Sequence, residues 1–144
     1  MTDGPESAYS RPPLIPATRR VILESPYAGD RATNERYARA AIRDCLERGD
    51  SPYASHMLLT QPGISNDDVP SERRIGIDAG FLWHEVAHAT VVYTDLGMSK
   101  GMNEGIANAH KLGQPVEFRT LKGWQKSSYG EKSTGTGSGM QENP

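Results

Sequence analysis

The run Asp95-Leu96-Gly97-Met98-Ser99-Lys100-Gly101-Met102-Asn103-Glu104-Gly105 holds the residue types best suited to chemistry in this chain. It follows Ala89-Thr90-Val91-Val92-Tyr93, a short apolar run that predicts a buried strand. Past the loop, Met102, Ile106 and Ala109 recur at helical spacing, with Ser99 placed to cap the helix. A strand, a glycine-bearing loop and a helix N-terminus gather unpaired N–H groups and the positive end of a helix dipole at one point. Such a point receives anions, phosphate above all. Glu104, one turn into the helix, would set a carboxylate beside that anion and so suggests chemistry on a phosphorylated sugar. On spacing alone the plainer reading of Glu104, a solvated helix glutamate, is favoured.

A second chemical pattern is His84-Glu85-Val86-Ala87-His88. It matches HExxH, in which two histidines one helical turn apart bind zinc and the glutamate activates water. Asn103-Glu104 further on resembles the downstream third ligand of thermolysin-like peptidases. Three features weigh against that alternative. The chain is short, and the interval from His88 to Glu104 is shorter than usual for that arrangement. His88 also abuts an apolar strand, so the helix should end where the second ligand needs it intact. His84 and His88 are then expected at a surface or an interface, and no metal site is expected.

These groups must be positioned by alternating strands and helices. Arg20-Val21-Ile22-Leu23-Glu24 reads as a first strand, stopped by Ser25-Pro26-Tyr27-Ala28-Gly29-Asp30. Thr33 or Asn34 is placed to cap a helix to about Arg48, with Tyr37, Ala41 and Cys45 in register and Gly49 as its stop. Residues 51–56 read as a second strand or its exit, and 60–70 as a polar loop of the kind that covers a site. A third helix starts at Ser71-Glu72, with one stripe of Ile75, Ala79, Leu82 and Val86 and another of Ile77 and Phe81. A helix apolar on two sides touches more than its own sheet, which points to a subunit contact. A last strand lies at 115–118. Alternation of this kind implies an α/β domain with a buried parallel sheet and helices on both faces, with ligands at the carboxyl ends of the strands.

The length of 144 residues suits one domain with a core. Residues 1–18 are proline-rich and 124–144 end in a Gly/Ser/Thr-rich run, so both read as disordered tails around a domain at 19–123. The net charge of −2, with no basic block, gives no reason to expect polymeric nucleic acid as a partner. The single cysteine, Cys45, fits a reducing compartment, and no spanning segment is visible. A cytoplasmic protein is expected.

Five blocks of the chain, in order, carry a resemblance. They are Leu23-Glu24-Ser25-Pro26-Tyr27-Ala28-Gly29-Asp30 with Asn34, then Pro52…His56, and then Glu72-Arg73-Arg74-Ile75-Gly76-Ile77. Ser99-Lys100-Gly101-Met102-Asn103-Glu104 and Ala109…Gly113-Gln114-Pro115-Val116 complete the set. Together they resemble the nucleoside 2-deoxyribosyltransferase-like superfamily, which includes nucleoside 5′-monophosphate N-glycosidases and small, often phage-borne domains. The resemblance implies a Rossmann-like (flavodoxin-like) single domain that hydrolyses or transfers at the N-glycosidic bond of a nucleotide or deoxynucleotide.

It implies Glu104 as the nucleophile forming a covalent glycosyl-glutamate, with Asp78 as a second catalytic carboxylate. Ser25, Tyr27 and Gly29 would line the sugar and base pocket, and Ser99, Lys100 and Gly101, with Met102 beside them, would hold a 5′-phosphate. Asp30, Asn34, His56 and Asp95 would contact sugar or base. No cofactor is implied, the partner is a small-molecule nucleoside or nucleotide, and a homo-oligomer is expected. By the same resemblance His88 stands at the family's other acidic position, which leaves the acid that protonates the leaving base unidentified. A domain lacking that acid would bind a nucleotide without cleaving it, the main alternative.

Overall fold

The structure, a computed structural model, describes residues 11–124. Of the tails expected at 1–18 and 124–144, residues 1–10 and 125–144 lie outside the described residues. Residues 11–18 run without helix or strand along the surface, and Trp124 packs against the core, its ring 5.0 Å from that of Tyr37. Four short runs form strands β1 (Arg19–Glu24), β2 (Asp50–Tyr53), β3 (Ala89–Tyr93) and β4 (Val116–Arg119). Between them lie α1 (Arg31–Arg48), the single turn α2 (Ser55–Leu58), α3 (Pro70–His84) and α4 (Lys100–Lys111).

All strand pairs are parallel and the order is β2-β1-β3-β4. The chain moves outward from β1 to β2, then returns across β1 to β3. That reversal opens a crevice beyond the carboxyl ends of β1 and β3, where doubly wound sheets bind ligands.

The two-residue strand period decides what each face receives. Val21 and Leu23 of β1, with Ala89, Val91 and Tyr93 of β3, pack on Tyr37, Ala41 and Cys45 of α1. Glu24, one step out of phase, faces the opposite helix layer, where it meets Gly105 of α4. Helices therefore cover both faces, as the expected Rossmann-like single domain requires.

Several boundaries differ from expectation for local reasons. Asp30, not Thr33 or Asn34, caps α1: its carboxylate accepts from Thr33 N at 3.2 Å and Thr33 Oγ1 at 2.6 Å. These bonds hold the Asp30 pKa below its ordinary value. Asp30→Ala should cost about 1 kcal/mol, readable as a lower midpoint in urea unfolding. β2 stops at Tyr53 because the next carbonyl, Ala54 O, accepts from Met57 N and Leu58 N and turns the chain into α2. Gly80 lets α3 close on that turn, since a Cβ there would lie 2.6 Å from Ser55 Oγ.

The two apolar stripes of α3 have different fates. Ile77 and Phe81 turn inward toward the cleft described below. Ile75 and Leu82 are each 67% exposed, and Trp83 and Val86 also face outward. Among the described residues, no helix is long and apolar enough to cross a membrane.

Under the α1 face runs a buried ion network. Arg119 Nη2 lies 2.8 Å from Asp50 Oδ2 and 3.0 Å from Glu117 Oε1, while Arg19 Nε lies 2.9 Å from Asp50 Oδ1. Tyr93 Oη accepts from Arg119 Nη1 at 3.1 Å and donates to Asp44 Oδ2 at 2.7 Å. Burial raises the Cys45 thiol pKa to about 11, so this cysteine is a core residue and a poor nucleophile.

Candidate active site

Beyond the carboxyl ends of β1 and β3 lies a cleft of about 290 Å³. This is near the lower bound for small-molecule sites. One side is the N-terminus of α4. Ser99 accepts from Met102 N at 3.2 Å, while Met102 Sδ accepts from Ser99 N at 3.4 Å. This capping leaves Lys100 N–H and Gly101 N–H among the groups that no intrahelical bond satisfies. Arg73 of α3 adds a second cation beside them: its Nε lies 3.6 Å from Asp67, and a Cβ at Gly101 would sit 3.7 Å from its Nη2. Lys100, Arg73 and the helix dipole together favour an anion on this side.

The opposite side carries neutral polar groups and rings. Ser25 Oγ and His56 Nε2 lie 2.8 Å apart, and the Tyr27 ring meets His56 edge-on at 6.4 Å. Loss of hydration lowers the His56 pKa to about 4, so the ring is neutral near pH 7. Tyr53, Ile77 and Phe81 supply apolar and aromatic walls.

Glu24, the last residue of β1, lines the same cleft. It is partly accessible from the cleft but otherwise enclosed by protein, and no described residue forms a hydrogen bond or ion pair with its carboxyl. Loss of hydration alone raises its pKa to about 8, so it is mainly protonated at neutral pH.

Of the residues singled out from sequence, Ser25, Tyr27, His56, Ser99, Lys100, Gly101 and Met102 line this cleft. The others lie elsewhere. Gly29 has φ +100° in the turn before α1, which favours glycine there, and Asp30 is the helix cap. Asn34 is buried and donates to Tyr27 O and Ala28 O at 2.9 and 3.0 Å, which shapes the loop rather than the cleft wall. Asp95 accepts from Tyr37 Oη at 2.7 Å and Leu121 N at 2.9 Å, which ties it to the α1 layer. Asp78 is exposed on α3 and pairs with Arg74 at 3.0 Å.

Glu104 is not among the cleft-lining residues. Its Oε1 lies 3.5 Å from Arg74 Nη1 without hydrogen-bond geometry, and it is buried with no hydrogen-bond partner among the described residues. The carboxyl that reaches the cleft from the strand ends is Glu24, which spacing did not single out. A charged residue closing the otherwise apolar run Val21-Ile22-Leu23 was the available signal.

The HExxH pattern has no metal-binding geometry. α3 ends at His84, where Gln114 Nε2 donates to His84 O at 2.6 Å and to Ala87 O at 3.0 Å, satisfying carbonyls the helix leaves open. The two rings therefore do not share one helix face. His84 is buried within the chain, with Nδ1 3.0 Å from Asn108 Nδ2, which corrects the expected surface or interface placement. His88 is exposed and its Nδ1 accepts from Arg20 N at 2.9 Å. Among the described residues no three His, Cys, Asp or Glu side chains are grouped to hold a metal ion.

A four-stranded parallel sheet of order 2-1-3-4, with a polar and aromatic cleft at its switch point, defines a flavodoxin-like α/β domain. The chain belongs to the family described as Domain of unknown function (DUF7768), which matches residues 19–119. No curated protein matches the chain. Among solved structures it is similar in fold to a 2-deoxyribosyltransferase from the psychrotolerant bacterium Bacillus psychrosaccharolyticus. That similarity has a TM-score of 0.51 and 16% identity, over 70% of this chain and 72% of the other.

Proposed function

We propose that this cleft binds a nucleoside or nucleotide and that the protein hydrolyses or transfers at its N-glycosidic bond. The observation that carries the reading is the juxtaposition in one cleft of an unpartnered carboxyl, Glu24, with a cationic helix N-terminus at Ser99-Lys100-Gly101. Cleavage of a C1′–N bond develops positive charge at C1′, which a nearby carboxyl stabilises or traps. The helix N-terminus and Arg73 suit a 5′-phosphate, and Tyr27 and Phe81 suit the flat face of a base. The fold shared with a 2-deoxyribosyltransferase is consistent with this use. The reading extends to a homo-oligomer in the cytoplasm, with the outward side of α3 as the contact surface.

Nucleotide binding without turnover is the second reading, favoured by the position of Glu104 outside the cleft lining. One experiment separates the two. Purified protein is incubated with pyrimidine and purine nucleosides and their 5′-monophosphates, ribo and deoxyribo, and free base is followed by chromatography. Release of base is expected, faster with the monophosphates. A thermal shift with a monophosphate but no release would establish the binding reading.

A further inference from the structure

We propose that Glu24, delivered by strand β1, is the carboxyl that attacks C1′, and that position 105 is glycine because the Glu24 carboxyl occupies the space of a side chain there. This rests on the N-glycosidic reading above. A Cβ built on Gly105 would fall on the Glu24 carboxylate, with Oε2 as its nearest atom. Gly105 is buried in the first half of α4, on the face toward the sheet, whereas its neighbour Glu104 points aside to Arg74. The helix thus presents a bare backbone to the cleft floor, and the strand fills the gap with a carboxyl. Within an α-helix a buried glycine costs about 1 kcal/mol relative to alanine, so its use here answers a close approach.

Three further observations fit a reacting group and not a structural one. Glu24 closes β1 at the switch point, next to the Ser25–His56 pair. Structural buried carboxylates are held by donors, as Asp50 is by Arg19 and Arg119, whereas Glu24 has no such partner among the described residues. Its raised pKa means that it enters the reaction carrying the proton a departing base requires. No separate acid is then needed.

The first step balances on this one group. A Glu24 oxygen bonds to C1′, the C1′–N bond breaks with its electron pair on the base nitrogen, and the carboxyl proton passes to the base. The products are a glycosyl ester of Glu24 and a neutral free base. Water then bonds to C1′, and the ester C1′–O bond breaks with its pair returning to the carboxylate. One proton of that water restores the acid while the hydroxyl stays on the sugar. A second base in place of water gives transfer.

The test combines kinetics with covalent trapping in the full-length protein. Glu24→Gln is expected to lower base release at least 10³-fold, and Glu104→Gln less than tenfold, with circular dichroism reporting the fold of each variant. The unaltered protein is also incubated with 2′-deoxy-2′-fluoro-arabino pyrimidine nucleosides, with and without 5′-phosphate, whose fluorine slows both steps. Peptide mapping by mass spectrometry should place the adduct on Glu24. An adduct on Glu104, or release retained in Glu24→Gln, would overturn this assignment while leaving the N-glycosidic reading intact. Release lost in Glu24→Gln without any adduct would overturn the attack step. No release from any substrate with the unaltered protein would overturn the N-glycosidic reading itself.

Discussion

Asp50→Ala is expected to destabilise the protein by about 3–5 kcal/mol, which lowers its thermal midpoint by on the order of 10 °C. The Asp50 and Arg119 side chains are only 5% and 7% exposed, and Asp50 accepts from both Arg119 and Arg19. Removing the carboxylate takes from the buried Arg119 guanidinium its one buried anionic partner among the described residues and leaves it the half-exposed Glu117 with the neutral Tyr93 and Cys45 side chains. The large cost comes from that stranded charge, since an intact buried pair contributes little net stability. Burial alone would raise the Asp50 pKa, but hydrogen bonds from Arg19 and Arg119 outweigh it and hold it below the ordinary 3.8. A lowered carboxyl pKa contributes stability above its unfolded value and loses it as pH falls through the folded one. The gap between the parent and Asp50→Ala should therefore narrow below about pH 4, as scanning calorimetry across pH would show. A constant gap down to pH 2 would contradict this account of the network.

The second large effect runs in the opposite pH direction. Glu24 is raised from its ordinary 4.5 to about 8 by loss of hydration. Its contribution to stability is full below about pH 4.5 and is lost as pH rises through 8, because ionisation then costs more in the folded state than in the unfolded one. Glu24→Gln removes that titration and keeps the shape. Relative to the parent it should gain up to ~4 kcal/mol between pH 4.5 and 9, at about 1.4 kcal/mol per pKa unit. A constant offset from the new amide does not affect this slope. The other ionisable groups facing the cleft, Tyr27, Tyr53, His56, Asp67, Arg73, His84 and Lys100, are common to both proteins and cancel in the difference. Parallel denaturation curves at all pH values would show that Glu24 ionises as an ordinary surface carboxyl.

Both effects turn on which face a side chain is given, and here sequence and structure divide the work. The short apolar run Val21-Ile22-Leu23, the continuous apolar run at Ala89–Tyr93 and the helical spacing of Tyr37, Ala41 and Cys45 are local patterns. They were enough to establish a parallel α/β domain, its element order, Ser99 as the α4 cap and the loops at the strand ends. That the loops at 25–30, 56–70 and 95–101 would flank the site was legible for the same reason, whereas Ser25, Tyr27 and His56 as its lining were implied by the resemblance to the nucleoside 2-deoxyribosyltransferase-like superfamily. In such sheets the site lies where strands end, and strand ends can be read from turn residues.

Contacts between distant segments were not legible. Spacing marked Ile75 and Leu82 as an apolar stripe of α3, but Gly80 closing on Ser55 turns Ile77 and Phe81 inward and leaves that stripe exposed. Spacing offered His84 and His88 as a pair and the adjoining apolar strand already placed the helix end between them, but the Gln114 side chain that binds the carbonyls there, thirty and twenty-seven residues away, was not legible. The resemblance, and not spacing, offered Glu104 as the carboxyl of the site; in the structure Gly105 opens the helix beside it and the Glu24 carboxyl, from another strand, fills that space. In each case the deciding term is steric or hydrogen-bonding complementarity between residues far apart in the chain. Periodicity cannot encode that, because it records only how a residue is placed relative to its own element.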